Sequence, residues 1–459
     1  MTWIGIDDTD SPSGGCTTFV LTEVIRAAHR VGLDLVGEPR LVRLNPNVPF
    51  KTRGNAALAA RFGHGLGRPR RVGEDPDGTV RAFPRGRRPS PAESDRLRRA
   101  AWRAVVVNSR WGEPGTDPAL VMAERPIPAA LYWTAVQGPV RIGVVERIVA
   151  ADGIRAMTRG SRRGIVGAAS AIAWPGRHPT WELIAYRERS RWGTPRPPIA
   201  PAAVARLEAR FPELFLCRDP RTRRVLIAPH TACPIRFGLR ASRPDRLVRA
   251  ARGLTGEPTE RWLTFRTNQG TGDHLARRPA STLSAFRSGV VVGVVARTPE
   301  ARRGGHVTFE LEDRSGGPLA CIAFEPTKTL PRIARSLRPG DRVLVWGGRG
   351  ADPTFRLEGI RVIRLAPRWA PGPNPRCPTC GGGTKSRGSG RGFRCPRDHH
   401  ALPPEVRGRS SPDPAPRPGW FHPTPSARRH LAPRPVSGVG AGPGAVRWWL
   451  RRPRMDLYD

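Results

Sequence analysis

Short apolar runs alternate with polar loops in the first part of the chain. Residues 3–6 form an apolar strand pattern that breaks into the acidic segment 7–10. A helical spacing of apolar residues follows over 20–28 and ends near Gly32. A second strand pattern covers residues 39–44. The order strand, helix, strand predicts an α/β layer.

The next segment is less regular. Residues 56–62 fit either a helix or a strand, and residues 92–107 fit a helix. Between them, residues 67–92 are rich in Arg, Gly and Pro, and this composition predicts a loop insertion.

Strands and helices mix again from residue 130 to residue 245. The pattern of apolar runs predicts a ferredoxin-like α+β unit, in which strands alternate with two helices. The runs lie at 140–148, 164–173, 181–186 and 224–229, and a helix is predicted at 201–211.

Residues 288–365 have a different pattern, in which short β-rich runs are separated by turns. The runs lie at 289–296, 306–312, 319–324, 342–347 and 355–365. A helical segment at 330–337 lies between the third and fourth runs. Five strands with a helix at this place indicate an OB-fold.

Composition and charge narrow the class of protein. A chain of 459 residues is too long for one core and suggests about three domains. The net charge of +40 predicts a polyanionic partner, with nucleic acid ahead of an anionic membrane. No apolar run is long enough for a transmembrane helix, and the acidic N-terminal segment does not resemble a signal peptide. Seven cysteines, mostly far apart, suit a reducing cytoplasm.

The first candidate site is the acidic segment that follows the first strand. Asp7, Asp8 and Asp10 lie at the carboxyl end of a strand, where α/β sheets bind ligands. Hard oxygen ligands suit Mg²⁺, which would bridge the phosphates of a nucleotide. The alternative is a solvated acidic turn held by local hydrogen bonds.

A glycine-rich loop favours the nucleotide site. Gly14 and Gly15 permit close backbone approach, and the start of the next helix offers free N–H groups for a phosphate. Thr17 or Thr18 is either a helix N-cap or a hydroxyl that accepts a phosphoryl group.

Lysine is scarce in this chain, which contains only Lys51, Lys328 and Lys385. Lys51 follows a strand and a proline-containing turn and precedes a donor-rich turn that includes Arg53 and Asn55. A compact ammonium reaching a phosphate is the functional interpretation. The alternative is an ordinary surface lysine.

A cysteine cluster interrupts the Pro- and Arg-rich C-terminal part of the chain. Cys377 and Cys380 form one knuckle, and Cys395 begins a second knuckle that lacks its last cysteine. This arrangement is typical of a structural Zn²⁺ ribbon. Asp398, His399 or His400 could complete the tetrahedron, and a histidine, represented by His399, is favoured as the commoner zinc ligand. The alternative is three unligated thiols in a flexible tail.

Residues 261–270 mix aromatic, amide and cationic side chains ahead of the OB-like unit. Aromatic and guanidinium faces can stack on unpaired bases, and Asn268 or Gln269 can bind base edges. The alternative is a strand whose Trp262 and Phe265 belong to the core.

Several motifs together resemble a known family, the archaeal tRNA-isoleucine agmatidine synthetases (TiaS). Each motif alone has low specificity, but the ordered set is highly specific and covers nearly the whole chain. The matching segments are 4–11, 15–18, 43–46, 51–55, 163–168, 234–238, 265–271, 324–328, the cysteine knuckles and 425–431.

The resemblance implies a multidomain α+β protein of four units. These are a kinase-like α/β ATP-binding domain (1–125, with an insertion at 67–92), a ferredoxin-like domain (126–275), an OB-fold β-barrel (286–367) and a zinc ribbon (374–403). A Pro/Arg-rich tail follows at 404–459, with disorder expected after 436.

The resemblance also implies an activity and site residues. The family joins agmatine to carbon 2 of the wobble cytidine in a CAU-anticodon isoleucine tRNA, so that AUA is decoded. The reaction consumes ATP and gives AMP and phosphate. The Asp-Asp-Thr-Asp motif would hold Mg²⁺ and phosphates, and by motif position Thr18 is the threonine that becomes phosphorylated. Residues that would face tRNA or agmatine are Arg163, Gly164, Asn268, Gln269 and Lys328.

Two other functions remain open at this stage. One is a noncatalytic RNA- or single-stranded-DNA-binding protein in which the OB-fold and the ribbon carry all function. The other is a small-molecule phosphotransferase. No membrane contact and no obligate protein partner are expected under the ligase hypothesis.

Overall fold

A computed structural model of the chain describes residues 1–52, 54–150, 153–367, 372–406 and 416–434. Within these ranges lie a twelve-stranded mixed sheet, a seven-stranded sheet and a three-stranded sheet. None of the helices in these ranges combines the length and apolar character needed to cross a membrane.

The twelve-stranded sheet carries the N-terminal half of the chain. Its spatial order is β11-β10-β12-β5-β6-β2-β4-β1-β8-β9, with β3 beside β4 and β12, and β7 beside β4. The strands are β1 (Thr2–Asp7), β2 (Asp34–Val36), β3 (Arg40–Arg43), β4 (Ala56–Leu66), β5 (Arg70–Asp75), β6 (Gly78–Phe83), β7 (Arg85–Arg87), β8 (Ala119–Ala123), β9 (Ile154–Thr158), β10 (Thr180–Tyr186), β11 (Ile235–Ala241) and β12 (Arg261–Thr267).

Helices cover both faces of this sheet. Three apolar cores result, one beneath α1 and α2, another beneath α3, α4 and α5, and a third beneath α6 and α7. The helices are α1 (Thr17–Arg30), α2 (Pro91–Asn108), α3 (Ala129–Gln137), α4 (Ile142–Val149), α5 (Gly164–Ala173), α6 (Pro201–Arg210) and α7 (Leu247–Ala251). The predicted helix at 92–107 is confirmed as α2, which begins with a capping box of Ser90 and Glu93.

The prediction of a loop at 67–92 is wrong. The segment forms β5, β6 and β7, and its arginines are exposed, alternating in β6 and β7 with more buried residues. Val72, Val80 and Ala82 are buried in the core beneath α1. The high content of Arg, Gly and Pro concealed this period of two, which is the signature of a strand.

Helix α5 is formed by the apolar run at 164–173, for which the sequence pattern did not decide between a helix and a strand. A short continuous apolar run fits a buried strand as well as a buried helix, because burial on all sides removes periodicity. The helix crosses β1 so closely that a Cβ on Gly5 would lie 2.2 Å from the carbonyl oxygen of Ala168. The run at 224–229 forms no strand beyond a single bridge between Arg218 and Val225.

The sheet also continues past the predicted domain boundary. Strands β8 and β9 pair antiparallel from Ala119–Thr158 to Ala123–Ile154. The boundary predicted between residues 125 and 126 therefore falls between two paired strands.

The seven-stranded sheet is a closed barrel with the predicted OB-fold order. Strand β13 pairs with both β17 and β15, which closes the barrel. Its first strands are β13 (Ser288–Val295), β14 (Glu300–Ala301), β15 (Val307–Asp313) and β16 (Pro318–Ala323). Helix α8 (Thr329–Ser336) then leads to β17 (Arg342–Arg349) and β18 (Phe355–Arg364).

A small ribbon and a returning segment complete the described chain. The ribbon contains β19 (Lys385–Ser386), β20 (Phe393–Arg394) and β21 (Ala401–Leu402). Residues 419–434, here called the C-terminal strap, begin with β22 (Gly419–Phe421), which adds to β18 of the barrel. The predicted disordered tail after 436 lies outside the described residues.

The C-terminal strap then returns to the N-terminal units. Gly270 N–H donates to the carbonyl of His430, and Gly272 N–H donates to that of Leu431, both at 2.8 Å. Leu431 is 2% exposed and belongs to the core beneath α3 and α5. The strap thus joins the barrel to the large sheet.

Candidate active site

A cavity of about 810 Å³ lies where the large sheet, α5 and the C-terminal strap meet. It collects most of the residues singled out by the sequence. Its lining includes Asp7, Asp8, Asp10, Thr17, Thr18, Lys51, Asn55, Arg163, Gly164 and Gln269. Gly14, Gly15, Asn268 and Lys328 are not among the lining residues. Arg53 lies outside the described residues.

The acidic end of the cavity is built on the last residues of β1. Asp8 has a left-handed backbone with φ of 58°, and its N–H donates to Asp7 Oδ1 at 2.8 Å. Asp117 joins from the segment that follows α2 and was not predicted. The four carboxylates of Asp7, Asp8, Asp10 and Asp117 are here called the acidic cluster.

Glycines make room for the acidic cluster. A Cβ on Gly167 of α5 would lie 1.7 Å from Asp7 Oδ2, and one on Gly160 would lie 2.0 Å from Asp117 Oδ1. Any larger side chain at these positions would displace a carboxylate. Gly167 therefore allows α5 to approach Asp7 closely, and Gly160 leaves room for Asp117.

Burial and mutual repulsion raise the pKa values in this cluster. Burial, followed by the charge of Asp8, raises the pKa of Asp7 well above its usual range. Burial, then Asp117 and Asp10, raises the pKa of Asp8 to about 7. Crowded carboxylates of this kind are stabilised by a bound cation, and hard oxygen donors match Mg²⁺. The side chains present therefore fit a magnesium ion.

The N-terminus of α1 opens onto the same end. Cys16 holds the N-cap position in an extended conformation, and its side chain makes no capping hydrogen bond. The suggestion that Thr17 or Thr18 is the N-cap is therefore wrong. Thr18 Oγ1 instead lies 2.9 Å from Cys16 Sγ, in the wall of the cavity. No acidic residue occupies the first turn, so the positive end of the helix dipole is available to an anion.

The glycine-containing loop before α1 lies beside the cavity, and several contacts hold it in place. Ser11 and Gly14 form a backbone bridge, and Gly15 has a φ of 77°. The side chain of Arg110 packs over the loop, close enough that a Cβ on Gly15 would lie 2.6 Å from its Cγ. Arg110 also pairs with Glu113, which accepts from the hydroxyls of Ser11 and Ser13.

The loop that carries Lys51 forms another wall. Lys51 Nζ donates to the carbonyl of Val48 at 2.6 Å. Burial, followed by the charges of Arg429 and Arg356, lowers the pKa of this ammonium. Asn55 has a φ of 45° and donates to the carbonyl of Asn45 at 2.7 Å, which shapes the turn.

The cavity wall also contains a chain of polar contacts in which Gln269 was predicted from the sequence, but Glu182, Arg240 and His430 were not. Gln269 donates to Glu182, and Arg240 Nε donates to Glu182 Oε1 at 3.1 Å. His430 Nδ1 lies 3.0 Å from Gln269 Oε1. The charge of Arg43, then burial and Arg240, lowers the pKa of His430 well below its usual range. These residues come from separate segments, so no local motif announces them.

Two residues expected to face tRNA or agmatine do not line the cavity. Asn268 is fully buried, and its side-chain amide accepts from Arg43 N and donates to Arg43 O, both at 2.8 Å. It therefore joins β3 to the end of β12 and cannot contact a base edge. Lys328 pairs with Glu325 on the barrel. Phe265 is a core residue, as the alternative interpretation predicted.

The cysteine cluster gathers four ligand atoms in the ribbon. Donor atoms of Cys377, Cys380, Cys395 and Asp398 all lie within 4.8 Å of one another. His399, the favoured fourth ligand, is not in this group, and Asp398 takes that place. Residues at i and i+3 of such a knuckle point to the same side, and His400 N–H fixes Asp398 Oδ1 at 2.9 Å. Three thiols and a carboxylate fit Zn²⁺.

Comparison with known proteins matches every unit. Family models match residues 3–160 (TiaS TCKD domain), 162–274 (TiaS FLD domain), 290–357 (OB-fold nucleic acid binding domain) and 374–399 (TiaS C-terminal zinc ribbon domain). An isoleucine-tRNA 2-agmatinylcytidine synthetase TiaS from Methanosarcina mazei is 34% identical over 436 residues, covering 94% of this chain and 96% of that protein.

Solved structures agree over nearly the whole chain. A complex of TiaS with isoleucine tRNA and ATP is 29% identical, with a TM-score of 0.78, over 95% of this chain and 98% of that chain. A complex of TiaS with isoleucine tRNA, AMPCPP and agmatine is 28% identical, with a TM-score of 0.75, over the same shares of the two chains.

Proposed function

The chain belongs to the TiaS family of isoleucine-tRNA 2-agmatinylcytidine synthetases, and from this premise we propose how its residues divide the reaction. The protein is an ATP-dependent ligase that joins agmatine to a cytidine of an isoleucine tRNA. The observation that carries the residue assignment is the acidic cluster beside the N-terminus of α1, inside one cavity.

ATP occupies the acidic end in this proposal. Asp7, Asp8 and Asp10 hold Mg²⁺ together with Asp117, and the ion when bound neutralises charge on the phosphates. The free N–H groups at the start of α1 receive a phosphate group. The glycines of α5 keep these carboxylates close enough to act together.

Thr18 is the proposed acceptor for a phosphoryl group. Its hydroxyl lies in the cavity wall beside the N-terminus of α1 and is held near Cys16 Sγ. A phosphate there would lie at the positive end of the helix dipole, which favours negative charge. Lys51 would turn away from the Val48 carbonyl to meet a phosphate, because ammonium–phosphate contact is the stronger interaction.

The rest of the cavity takes agmatine and the target cytosine. The oxygen on carbon 2 of cytosine leaves poorly, so its phosphorylation allows the amine to form the C–N bond as phosphate departs. The target base must be unpaired to enter, as it is in an anticodon loop. Glu182, Gln269 and His430 form part of the cavity wall.

The barrel and ribbon are proposed to hold the tRNA, with Zn²⁺ bound by the three cysteines and Asp398. The net charge of +40 suits a polyanion gripped by several units. We place the activity in the cytoplasm, where tRNA is abundant and thiols stay reduced.

The direct test supplies ATP, labelled agmatine and an unmodified transcript of the CAU-anticodon isoleucine tRNA. Label is expected in the tRNA, and it should disappear when the target cytidine is replaced by uridine. Unlabelled tRNA, with an active control enzyme in parallel, would contradict the proposal. ATP turnover without tRNA dependence would instead indicate a small-molecule phosphotransferase.

A further inference from the structure

Phe50 is an exposed aromatic residue at the cavity. It is 49% exposed, whereas most large apolar side chains in the described residues are buried. It lies in the loop between β3 and β4, next to Lys51, and belongs to the cavity lining. It is not a member of any of the apolar cores found among the described residues. Packing within the protein therefore does not account for an aromatic residue at this place.

Arg163 covers part of this ring. The guanidinium carbon lies 3.8 Å from the Phe50 ring centroid, which is close to direct stacking. Arg163 is the residue before α5, and the following Gly164 already lies beside the acidic cluster. The Phe50–Arg163 pair therefore connects the loop to α5 beside the acidic cluster.

The pair has the chemistry of a platform for an unpaired base. Aromatic rings and guanidinium planes are the surfaces on which proteins stack splayed nucleobases. One face of Phe50 is already ordered by Arg163, so a base would stack at a smaller cost in side-chain entropy. The positive charge of Arg163 and the adjacent Lys51 also suits the phosphates that flank such a base.

We propose that the Phe50–Arg163 pair stacks a nucleotide that flanks the target cytidine in the anticodon loop. This stacking replaces the stack lost when the cytidine leaves the loop and enters the cavity. The inference rests on the proposed function and adds a positioning contact to it. The occupant is a base of the same tRNA, since the cavity behind the pair receives the neighbouring base.

The test uses transcripts of the isoleucine tRNA with 2-aminopurine on the 3′ side or the 5′ side of the target cytidine. Stacking quenches this fluorophore, so at least one wild-type complex should be dim. In Phe50→Ala and Phe50→Leu complexes the same probe should brighten, because neither side chain offers a π face. Phe50→Tyr should restore the quenching. The affinity for tRNA should fall by roughly five-fold to 100-fold in the first two variants.

Trp111 provides the matched control. It is 46% exposed and carries Arg159 at 5.1 Å, but it does not line the cavity. Trp111→Ala should leave the fluorescence of both probes unchanged. Equal fluorescence and affinity for wild type and Phe50→Ala with both probes would overturn the inference. Because agmatine incorporation is measured on the same wild-type samples, absence of incorporation would count against the proposed function instead.

Discussion

The described residues contain two clusters of four side chains, the acidic cluster and the cysteine cluster of the ribbon, and the pKa values of their aspartates shift in opposite directions. In the acidic cluster, burial and neighbouring carboxylates raise the pKa of Asp8 to about 7. In the ribbon, the backbone N–H of His400, followed by the thiols, lowers the pKa of Asp398. The first aspartate has charged neighbours of its own sign, and the second has hydrogen-bond donors. Burial and like charges therefore oppose the ionised form of Asp8, whereas hydrogen bonds favour the ionised form of Asp398.

The largest effect is expected from Asp8→Asn, which removes one charge from the acidic cluster. Agmatine incorporation should fall by roughly 100-fold to 1000-fold, because charge stabilisation around the phosphates is lost. The affinity for tRNA should persist, and a filter-binding assay measures it separately. Asp95→Asn, at an exposed position of α2, is the control and should retain full activity. An equal loss of agmatine incorporation in both variants would contradict a role of the acidic cluster in catalysis.

Gly167→Ala tests the crowding rather than the charge. The added Cβ would lie 1.7 Å from Asp7 Oδ2, so the carboxylate must move and incorporation should fall by roughly 10-fold or more. Gly143→Ala on α4 meets no atom within 4 Å and should raise the free energy of unfolding by about 0.5 kcal/mol. Comparable activity of the two variants would show that the helix can withdraw from the acids.

Asp398→Ala should act through the ribbon alone. Zinc content should fall, because three thiolates remain where four ligands are needed, while Asp398→His should retain the metal. We expect the Michaelis constant for tRNA to rise by roughly 10-fold with kcat little changed, since metal loss would unfold the ribbon, which is proposed to hold the tRNA. Zinc measured by mass spectrometry beside steady-state kinetics checks this. A loss of kcat at unchanged zinc content would contradict it.

The smallest effect concerns pH in metal-free protein. In the folded state the pKa of Asp8 is about 7, above its usual value of 3.8. Between these two pH values, the folded state therefore keeps a proton that the unfolded state has lost. This contribution therefore lowers stability as pH rises from about 4 to about 7. The free energy of unfolding of wild type minus that of Asp8→Asn should fall by roughly 1 to 3 kcal/mol over this window. Excess Mg²⁺ should make this difference in the free energy of unfolding independent of pH. A pH-independent difference without Mg²⁺ would contradict the raised pKa of Asp8.

The contrast between the two clusters also shows which of their residues could be predicted from the sequence. Asp7, Asp8 and Asp10 are contiguous with a strand, so a local pattern was enough to find them. Asp117 belongs to the same cluster, but more than a hundred residues separate it from Asp8 and only the sheet brings them together. In the ribbon, spacing found the cysteines, but the preference for imidazole chose His399, although the turn geometry selects Asp398.

Errors elsewhere have similar physical causes. Composition suggested a loop at 67–92, because many arginines on exposed strand positions resemble a charged linker. The type of the run that became α5 could not be predicted, since complete burial erases its period. Glu182 and His430 were missed because they meet Gln269 only through the pairing of β10 with β12 and the docking of the C-terminal strap.

The C-terminal strap is synthesised last, and this affects how the protein folds during translation. Domains fold in order as the chain emerges, so the large sheet is complete before residues 419–434 are made. Leu431 and His430 then enter a core and a cavity wall formed long before. A chain that ends at the ribbon would therefore lack Leu431 in this core and His430 in the wall of the cavity.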